Sequence, residues 1–183
     1  IWDTCEINDH LYFITGDITA TAIRSISCMI LNLDMYNSLN FEESDYNIVE
    51  RGAWTMENFM EVSVGSRAEQ LDGNYAVTIG SHVELDNLFY GAGFRYVEKE
   101  PSDGLLMLSD DIEDQRLDSW FTTVQSLFKD NADVSITPID SAFTSGLSLW
   151  YMGYLSDVQE YLTDVTFSFA VTPYPKLDST QED

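Results

Sequence analysis

Positive charge is scarce in this sequence. Its 183 residues include 32 acidic side chains and only 8 basic ones, which gives a formal net charge of -24. Proteins bind nucleic acids largely through contacts of Lys and Arg with phosphates. The charge balance therefore argues against sequence-specific binding of nucleic acid.

Cysteine and histidine are equally rare. Cys5 and Cys28 are too few for a disulfide framework and lack the spacing of a zinc site, and whether they are bonded to each other stays open. His10 and His82 do not belong to a nucleophile-elbow pattern such as G-x-S-x-G. We therefore expect no catalytic residue, no metal site and no cofactor, and we do not expect an enzyme.

Long hydrophobic runs are also missing. The chain has no apolar run of the length that spans a bilayer, and its first residues lack the basic segment and apolar core of a signal peptide. The sequence therefore predicts a soluble protein with no membrane partner.

The acidic residues that dominate the composition are scattered along the whole chain. The densest group is Asp110, Asp111, Glu113 and Asp114, which lacks the alternating ligands and central glycine of a calcium loop. At molar salt the screening length falls to roughly 3 Å, so repulsion between dispersed carboxylates largely vanishes. Dispersed acids with few lysines favour a halophilic environment, whereas acids gathered on one surface would favour a basic partner. Both interpretations stay open.

Most of the apolar pattern indicates β-structure. Alternating, β-branched or aromatic residues predict strands in the following segments: Leu11–Thr15, Ile18–Leu33, Trp54–Val64, Tyr75–Leu85, Phe94–Glu98, Val134–Pro138, Leu147–Leu155 and Val165–Thr172. Turns are predicted at Asp72-Gly73 and Gly91-Ala-Gly93, and a long loop of unknown role at Met35–Gly52.

One amphipathic helix interrupts this pattern. It begins after Ser109 and Asp110, and its apolar stripe consists of Leu117, Trp120, Phe121, Val124, Leu127 and Phe128. Such a stripe is expected to pack on a sheet. The predicted fold is therefore mainly β (α+β), a β-sandwich or small barrel with one packed amphipathic helix. We expect a single domain over residues 1–175 and an acidic C-terminal tail over residues 176–183.

Aromatic residues suggest one possible contact surface. Phe89, Tyr90 and Phe94 surround two glycines at a predicted loop tip. Exposed aromatic groups of this kind are typical of protein interfaces, so we predict that these three residues belong to a subunit interface.

The second half of the chain resembles the tail-tube proteins of tailed viruses. From Gly104 onward the order is a short strand, the helix with Trp120, the strand Val134–Pro138, the strand Leu147–Leu155 with an aromatic residue and Gly153, and a last alternating strand from Val165. In that family a helix likewise leads into a strand, a strand with an aromatic residue and a glycine, and a final alternating strand.

The resemblance implies a structural protein of the virion. It implies a homohexameric ring that stacks into a tail tube, contacts other virion proteins and is soluble before assembly. An acidic lumen would let viral DNA pass without binding, and the composition would then reflect a halophilic host. Other virion components stay open, namely a tail terminator, a neck protein or a jelly-roll capsid protein. So does an acidic inhibitor or immunity protein that binds a basic partner.

Overall fold

A mixed β-sheet with helices on both faces organises the chain. The structure is a computed structural model that describes residues 6–7, 10–11, 20–39, 49, 52–65, 74–113, 115–129, 134–136 and 142–181. The strands are β1 (Glu6–Ile7), β2 (His10–Leu11), β3 (Ser27–Asn32), β4 (Tyr75–Ile79), β5 (Val97–Lys99), β6 (Leu106–Leu108), β7 (Val134–Ile136), β8 (Ser148–Tyr154) and β9 (Phe169–Thr172). The α-helices are α1 (Ala20–Arg24), α2 (Leu33–Ser38), α3 (Met56–Gly65), α4 (Val83–Gly91), α5 (Gln115–Lys129) and α6 (Leu155–Tyr161).

The main sheet has the strand order β7-β4-β8-β3-β9. Strands β7, β4 and β8 are parallel, while β3 runs antiparallel to both β8 and β9. Parallel neighbours need long crossover connections, and the segment from α4 to α5 supplies the one between β4 and β7. Two separate ribbons, β1 with β2 and β5 with β6, complete the described strands.

Alternate residues of β3 point into two different cores. Met29 and Leu31 face the larger core, which the helices α3, α4 and α5 cover. Cys28 and Ile30 face a smaller core on the opposite side of the sheet, which includes Leu162 after α6. This alternation explains why β3 is an almost continuous apolar run, as expected for a strand buried on both faces.

The predicted fold class is correct only at the coarse level. The chain does contain a sheet and the amphipathic helix α5, which follows a short 3-10 turn at Asp110–Glu113. The described strands, however, form an open five-stranded sheet between helices, which is a mixed α/β arrangement, and the β-sandwich or barrel is not confirmed. The sequence pattern missed this because a strand buried on both faces cannot be distinguished from a helix by its apolar content alone.

Several predicted strands are in fact helical. The largest error is Trp54–Val64, most of which is α3, where Met56, Phe59 and Val62 are buried at helical spacing. Ile18–Leu33 divides into α1 and β3, and Tyr75–Leu85 into β4 and the start of α4. By contrast, the prediction of Leu147–Leu155 as a strand is confirmed by β8.

Other predictions are partly correct or lie partly outside the described residues. Of Val165–Thr172, only β9 is a strand, and Phe94–Glu98 overlaps β5. Of the predicted loop Met35–Gly52, the first residues belong to α2, and residues 40–48 and 50–51 lie outside the described residues. The turn at Asp72-Gly73 and strand residues 12–15 also lie outside them.

The C-terminal segment is bonded to the rest of the chain. The Met56 amide donates to the Lys176 carbonyl at 2.8 Å, and the Lys176 amide donates to the Trp54 carbonyl at 3.0 Å. The Gln181 side-chain amide donates to the Gly91 carbonyl at 2.9 Å. Residues 176–181, which the sequence assigns to a tail, thus form hydrogen bonds with residues 54, 56 and 91. The division into domain and tail stays a prediction.

No helix in the described part of the chain is long and apolar enough to cross a membrane.

Candidate ligand-binding site

The carboxyl ends of β4 and β8 form the best candidate for a binding site. Chain leaving β4 leads through α4 and α5 to β7 on one side of the sheet, whereas chain leaving β8 leads through α6 to β9 on the other. Connections that diverge from adjacent parallel strands leave a crevice between them, and open α/β sheets bind ligands there. The site is therefore built from the residues that directly follow these two strands.

Glu84 is the first polar group at this edge. It lies in the first turn of α4 and is buried, with a carboxylate that accepts hydrogen bonds at Oε2 from the Ser81 amide at 2.8 Å and the Ser81 hydroxyl at 2.7 Å. A negative charge in the first turn is favoured by the helix dipole. A Cβ at Gly80 would lie 3.4 Å from Glu84 Oε1 and 3.5 Å from the Tyr151 hydroxyl, so both groups adjoin Gly80.

A second buried carboxylate, Asp157, lies beside the end of β8. Its Oδ2 atom accepts a hydrogen bond from the Tyr154 amide at 2.8 Å and one from the Tyr151 hydroxyl at 3.1 Å. Burial, followed by the nearby Asp157 charge, raises the pKa of Tyr151. Tyr151 therefore stays protonated at neutral pH and acts as a hydrogen-bond donor.

Gly153 makes the approach of these two side chains possible. A Cβ at this position would overlap both the Tyr151 ring and the Asp157 carboxylate. Only glycine fits between them, since every other residue would force the ring or the carboxylate to move.

The opposite face of the same edge has donors without acceptors. The Ser27 hydroxyl donates to Asn87 Oδ1 at 3.0 Å, and Ser27 pairs with Tyr154 across the sheet. The Asn87 side-chain nitrogen and the Tyr174 hydroxyl are buried, and neither has a hydrogen-bond partner among the described residues. Burial raises the pKa of Tyr174, and the Asn87 side chain beside it lowers this pKa in part. Buried groups of this kind usually bind water or a ligand.

The polar groups of the site are either negatively charged or neutral. Glu84 and Asp157 provide carboxylates, and Ser81, Tyr151 and Tyr174 provide hydroxyls; none of these five side chains is positively charged. The arrangement therefore suits a solute rich in hydroxyl or ammonium donors and disfavours an anion. Among the described residues, no three His, Cys, Asp or Glu side chains are grouped so that they could bind a metal ion.

Cys28 lies on the sheet next to this edge as a free, buried thiol, while Cys5 is outside the described residues. Burial, and to a lesser degree the Asp157 charge, raises the pKa of Cys28 to about 12. The reactive form of cysteine is the thiolate, so this thiol is inert at neutral pH.

The residues predicted as a subunit interface are only partly on the surface. Phe89 and Phe94 are buried in the larger core, whereas Tyr90 is 52% exposed. All three belong to α4 or to the turn after it, and the Phe89 ring stacks on Tyr96 with centroids 4.3 Å apart. The interface itself stays a prediction.

Sequence reasoning missed Glu84, Tyr151 and Asp157. One local signal existed, because Ser81 and Glu84 have the S-x-x-E spacing of a capping box before a helix. The hydrogen bond from Tyr151 to Asp157 had no such signal, nor did the position of the Tyr151 hydroxyl beside Gly80, which depends on the pairing of β4 with β8.

Away from this edge, a concavity of about 490 Å³ lies between α3 and α5. Its lining comprises Met56, Glu57, Met60, Arg116, Ser119, Trp120, Thr123, Leu177 and Asp178. It is formed by two helices and the C-terminal segment and mixes both charges, whereas the candidate site lies at strand ends and carries negative charge only.

Comparison with known protein families finds no match, and comparison with curated proteins finds none either. Solved structures do share the fold. UgpB from Mycobacterium tuberculosis, in complex with glycerophosphocholine, matches over 81% of this chain with a TM-score of 0.58 and 12% identity. The ABC substrate-binding protein Lmo0181 from Listeria monocytogenes, in complex with cycloalternan, matches over 96% with a TM-score of 0.60 and 13% identity. The chain spans 36% and 43% of the length of these two proteins.

These neighbours contradict the tail-tube interpretation. The order of helix and strands after Gly104 fits a viral tail protein, but in the structure β8 lies inside an α/β sheet, parallel to β4. The likeness is to substrate-binding proteins, so the assignment to a virion, its tail and a halophilic tailed virus is wrong. Assembly into rings and contact with virion partners have no support in these neighbours. The order of helices and strands along the chain does not specify which strands pair. The tail-tube interpretation was wrong because it rested on that order alone.

Proposed function

We propose that this chain binds a small solute at the carboxyl edge of β4 and β8. The observation that carries the proposal is the fold shared with UgpB and Lmo0181, each solved with a small molecule bound. Because the chain spans less than half of either protein, we propose that it corresponds to one part of such a binding protein. A role in solute uptake by an ABC transporter belongs to the same proposal.

The edge itself supports binding. At the point where the connections from β4 and β8 diverge, it combines buried carboxylates with two donors, on Asn87 and Tyr174, that have no partner among the described residues. A bound solute or water that accepted these hydrogen bonds would remove a cost of about 1–3 kcal/mol for each group.

The charge of the site indicates the class of solute. Carboxylates accept hydrogen bonds from sugar hydroxyls and attract ammonium groups, while a net charge of -24 repels anions. We therefore propose a polyhydroxylated or cationic solute. Binding without chemical conversion is also part of this proposal, in line with the expectation that the chain is not an enzyme.

Isothermal titration calorimetry with cycloalternan, glycerophosphocholine and citrate tests the proposal. We expect cycloalternan or glycerophosphocholine to bind and citrate not to bind. Gly80→Leu should weaken the binding by at least about tenfold, or about 1.4 kcal/mol, because its side chain would occupy the space beside Glu84 and Tyr151. Ser102→Leu, in an exposed turn, is the matched control and should bind normally. Failure of both solutes to bind, or equal binding by Gly80→Leu, would contradict the proposal.

A further inference from the structure

The ribbon of β5 and β6 presents an apolar face to solvent. In its register Val97 pairs with Leu108 and Lys99 with Leu106, so these four side chains share one face. Three of them are apolar, and Val97, Leu106 and Leu108 are 50%, 53% and 71% exposed. We call these three residues the ribbon face.

The opposite side of the ribbon is the one that contacts the body. Tyr96, which precedes Val97 and alternates with it, stacks on Phe89 next to the larger core. The Ser109 amide donates to the Tyr96 carbonyl at 3.0 Å, which joins the two strands at the end where the ribbon meets the rest of the chain. The ribbon is therefore held with its apolar residues outward, although a strand that covers a core normally turns its polar residues to water.

Contacts between β5 and β6 alone contribute little stability to the ribbon. A two-stranded ribbon is marginal in water unless another surface packs against it. Among the described strands, β6 pairs only with β5, so its other edge offers free backbone groups for an added strand. An outward apolar face beside an open edge is typical of a surface that binds an extended segment of a partner.

The negative charge near the ribbon face favours a basic partner. Between Asp86 and Glu113 the sequence has seven acidic residues and two basic ones. Glu100 and Asp103 lie in the turn that joins β5 to β6, and Asp110 follows β6 at the other end, so both ends of the ribbon carry carboxylates. A second copy of this chain would bring the same negative charge and be repelled, whereas a segment flanked by Lys or Arg would be attracted.

We propose that the ribbon face binds a partner protein through an extended apolar segment flanked by basic residues. The partner adds a strand to β6, places its apolar side chains on Val97, Leu106 and Leu108, and pairs its basic residues with the surrounding carboxylates. This surface is separate from the solute site, so the inference does not depend on the proposed function.

A peptide pair provides the test. One short peptide alternates leucine and threonine with two lysines at each end, and its twin has glutamates in place of the lysines. Titrations followed by NMR of the backbone amides should show saturable binding of the lysine peptide, with shifts in β5 and β6. The affinity should fall at least about tenfold between about 50 mM and about 500 mM salt, because charges at an exposed surface are screened. The glutamate peptide should not bind.

Variants separate this face from general attraction to an acidic protein. The double variant Leu106→Ser, Leu108→Ser should lose at least about tenfold in affinity for the lysine peptide. The control variant Ile23→Ser, Ile26→Ser removes two exposed apolar residues elsewhere and should bind the peptide normally. Equal binding by wild type and the Leu106→Ser, Leu108→Ser variant would overturn the proposal, as would binding of both peptides alike. Sedimentation that showed a dimer abolished by the same variant would overturn it in favour of a second copy.

Discussion

At the scale of single residues, Gly153 is the position with the least freedom. The Tyr151 ring and the Asp157 carboxylate occupy the space that a Cβ there would need. Such overpacking typically costs about 1–3 kcal/mol. We therefore expect Gly153→Ala to lower the free energy of unfolding by about that amount in urea titrations. Gly80→Ala is the control, because its Cβ would make only ordinary contacts at 3.4 Å or more, and it should change stability little. Equal stability of Gly153→Ala and wild type would show that the two side chains do not meet there.

Titration of the buried thiol and phenols gives a second prediction at this scale. Burial raises the pKa of Cys28 from 9.0 to about 12, and it also raises the pKa values of Tyr151 and Tyr174. The folded chain holds these protons while the unfolded chain releases them at lower pH. Their stabilising contribution is therefore complete below about pH 9 and is lost as the pH rises toward the folded pKa values.

Urea unfolding at about pH 7, 9 and 10.5 measures this effect. We expect the free energy of unfolding to be similar at the first two values and lower at the third. Cys28→Val removes one of the titrating groups while keeping an apolar side chain, so its alkaline loss should be smaller. An alkaline loss identical in the variant and in wild type would show that Cys28 does not contribute.

The residues of the candidate site illustrate what a sequence can show at this scale. With 32 acidic residues in the chain, no spacing distinguishes Asp157 from the others, and only the S-x-x-E spacing of Ser81 and Glu84 marks Glu84. Their importance comes from burial and from Tyr151, which donates to Asp157 within its own segment and lies beside Gly80, near Glu84, because β4 and β8 are neighbours. The scarcity of Cys and His, by contrast, was visible at once.

At the scale of elements, the sequence predicted correctly those helices and strands whose apolar residues follow a single period. Helix α5 was predicted because its apolar stripe is separated by polar residues on the other face. Helix α3 was not, because Trp54 and Met56 alternate like a strand while Met56 and Met60 have helical spacing. The parallel pairing of β4 with β7 and β8 joins residues far apart in sequence, and no local pattern specifies it.

The C-terminal segment gives a prediction for one such element. Lys176 makes two backbone hydrogen bonds around Thr55, and Leu177 packs against the larger core. Removal of residues 176–183 should therefore lower the free energy of unfolding by about 2 kcal/mol or more, from lost hydrogen bonds and lost apolar burial. Removal of residues 182–183 alone is the control and should have little effect. A full truncation as stable as wild type would support the independent tail that the sequence suggested.

At the scale of the whole molecule, the net charge of -24 should govern the response to salt. Self-repulsion among dispersed carboxylates destabilises the folded chain and is screened as ionic strength rises. We expect the thermal midpoint to rise between about 0.05 M and about 1 M sodium chloride, by about 2–4 °C for each kcal/mol gained. Sucrose at equal osmolality is the control, because it does not screen charge. A thermal midpoint that did not rise with salt would show that repulsion among the carboxylates does not destabilise the folded chain.

The fold shared with UgpB and Lmo0181 is the main support for the proposed binding of a solute. The most direct test of this binding is NMR of the backbone amides during titration with cycloalternan and with glycerophosphocholine. We expect one of them to shift the amides of residues 80–82 and 154–157 in a saturable manner and to leave those of α3 and α5 unchanged. Shifts confined to the concavity between α3 and α5, or no shifts with either solute, would contradict a binding site at the carboxyl edge of β4 and β8.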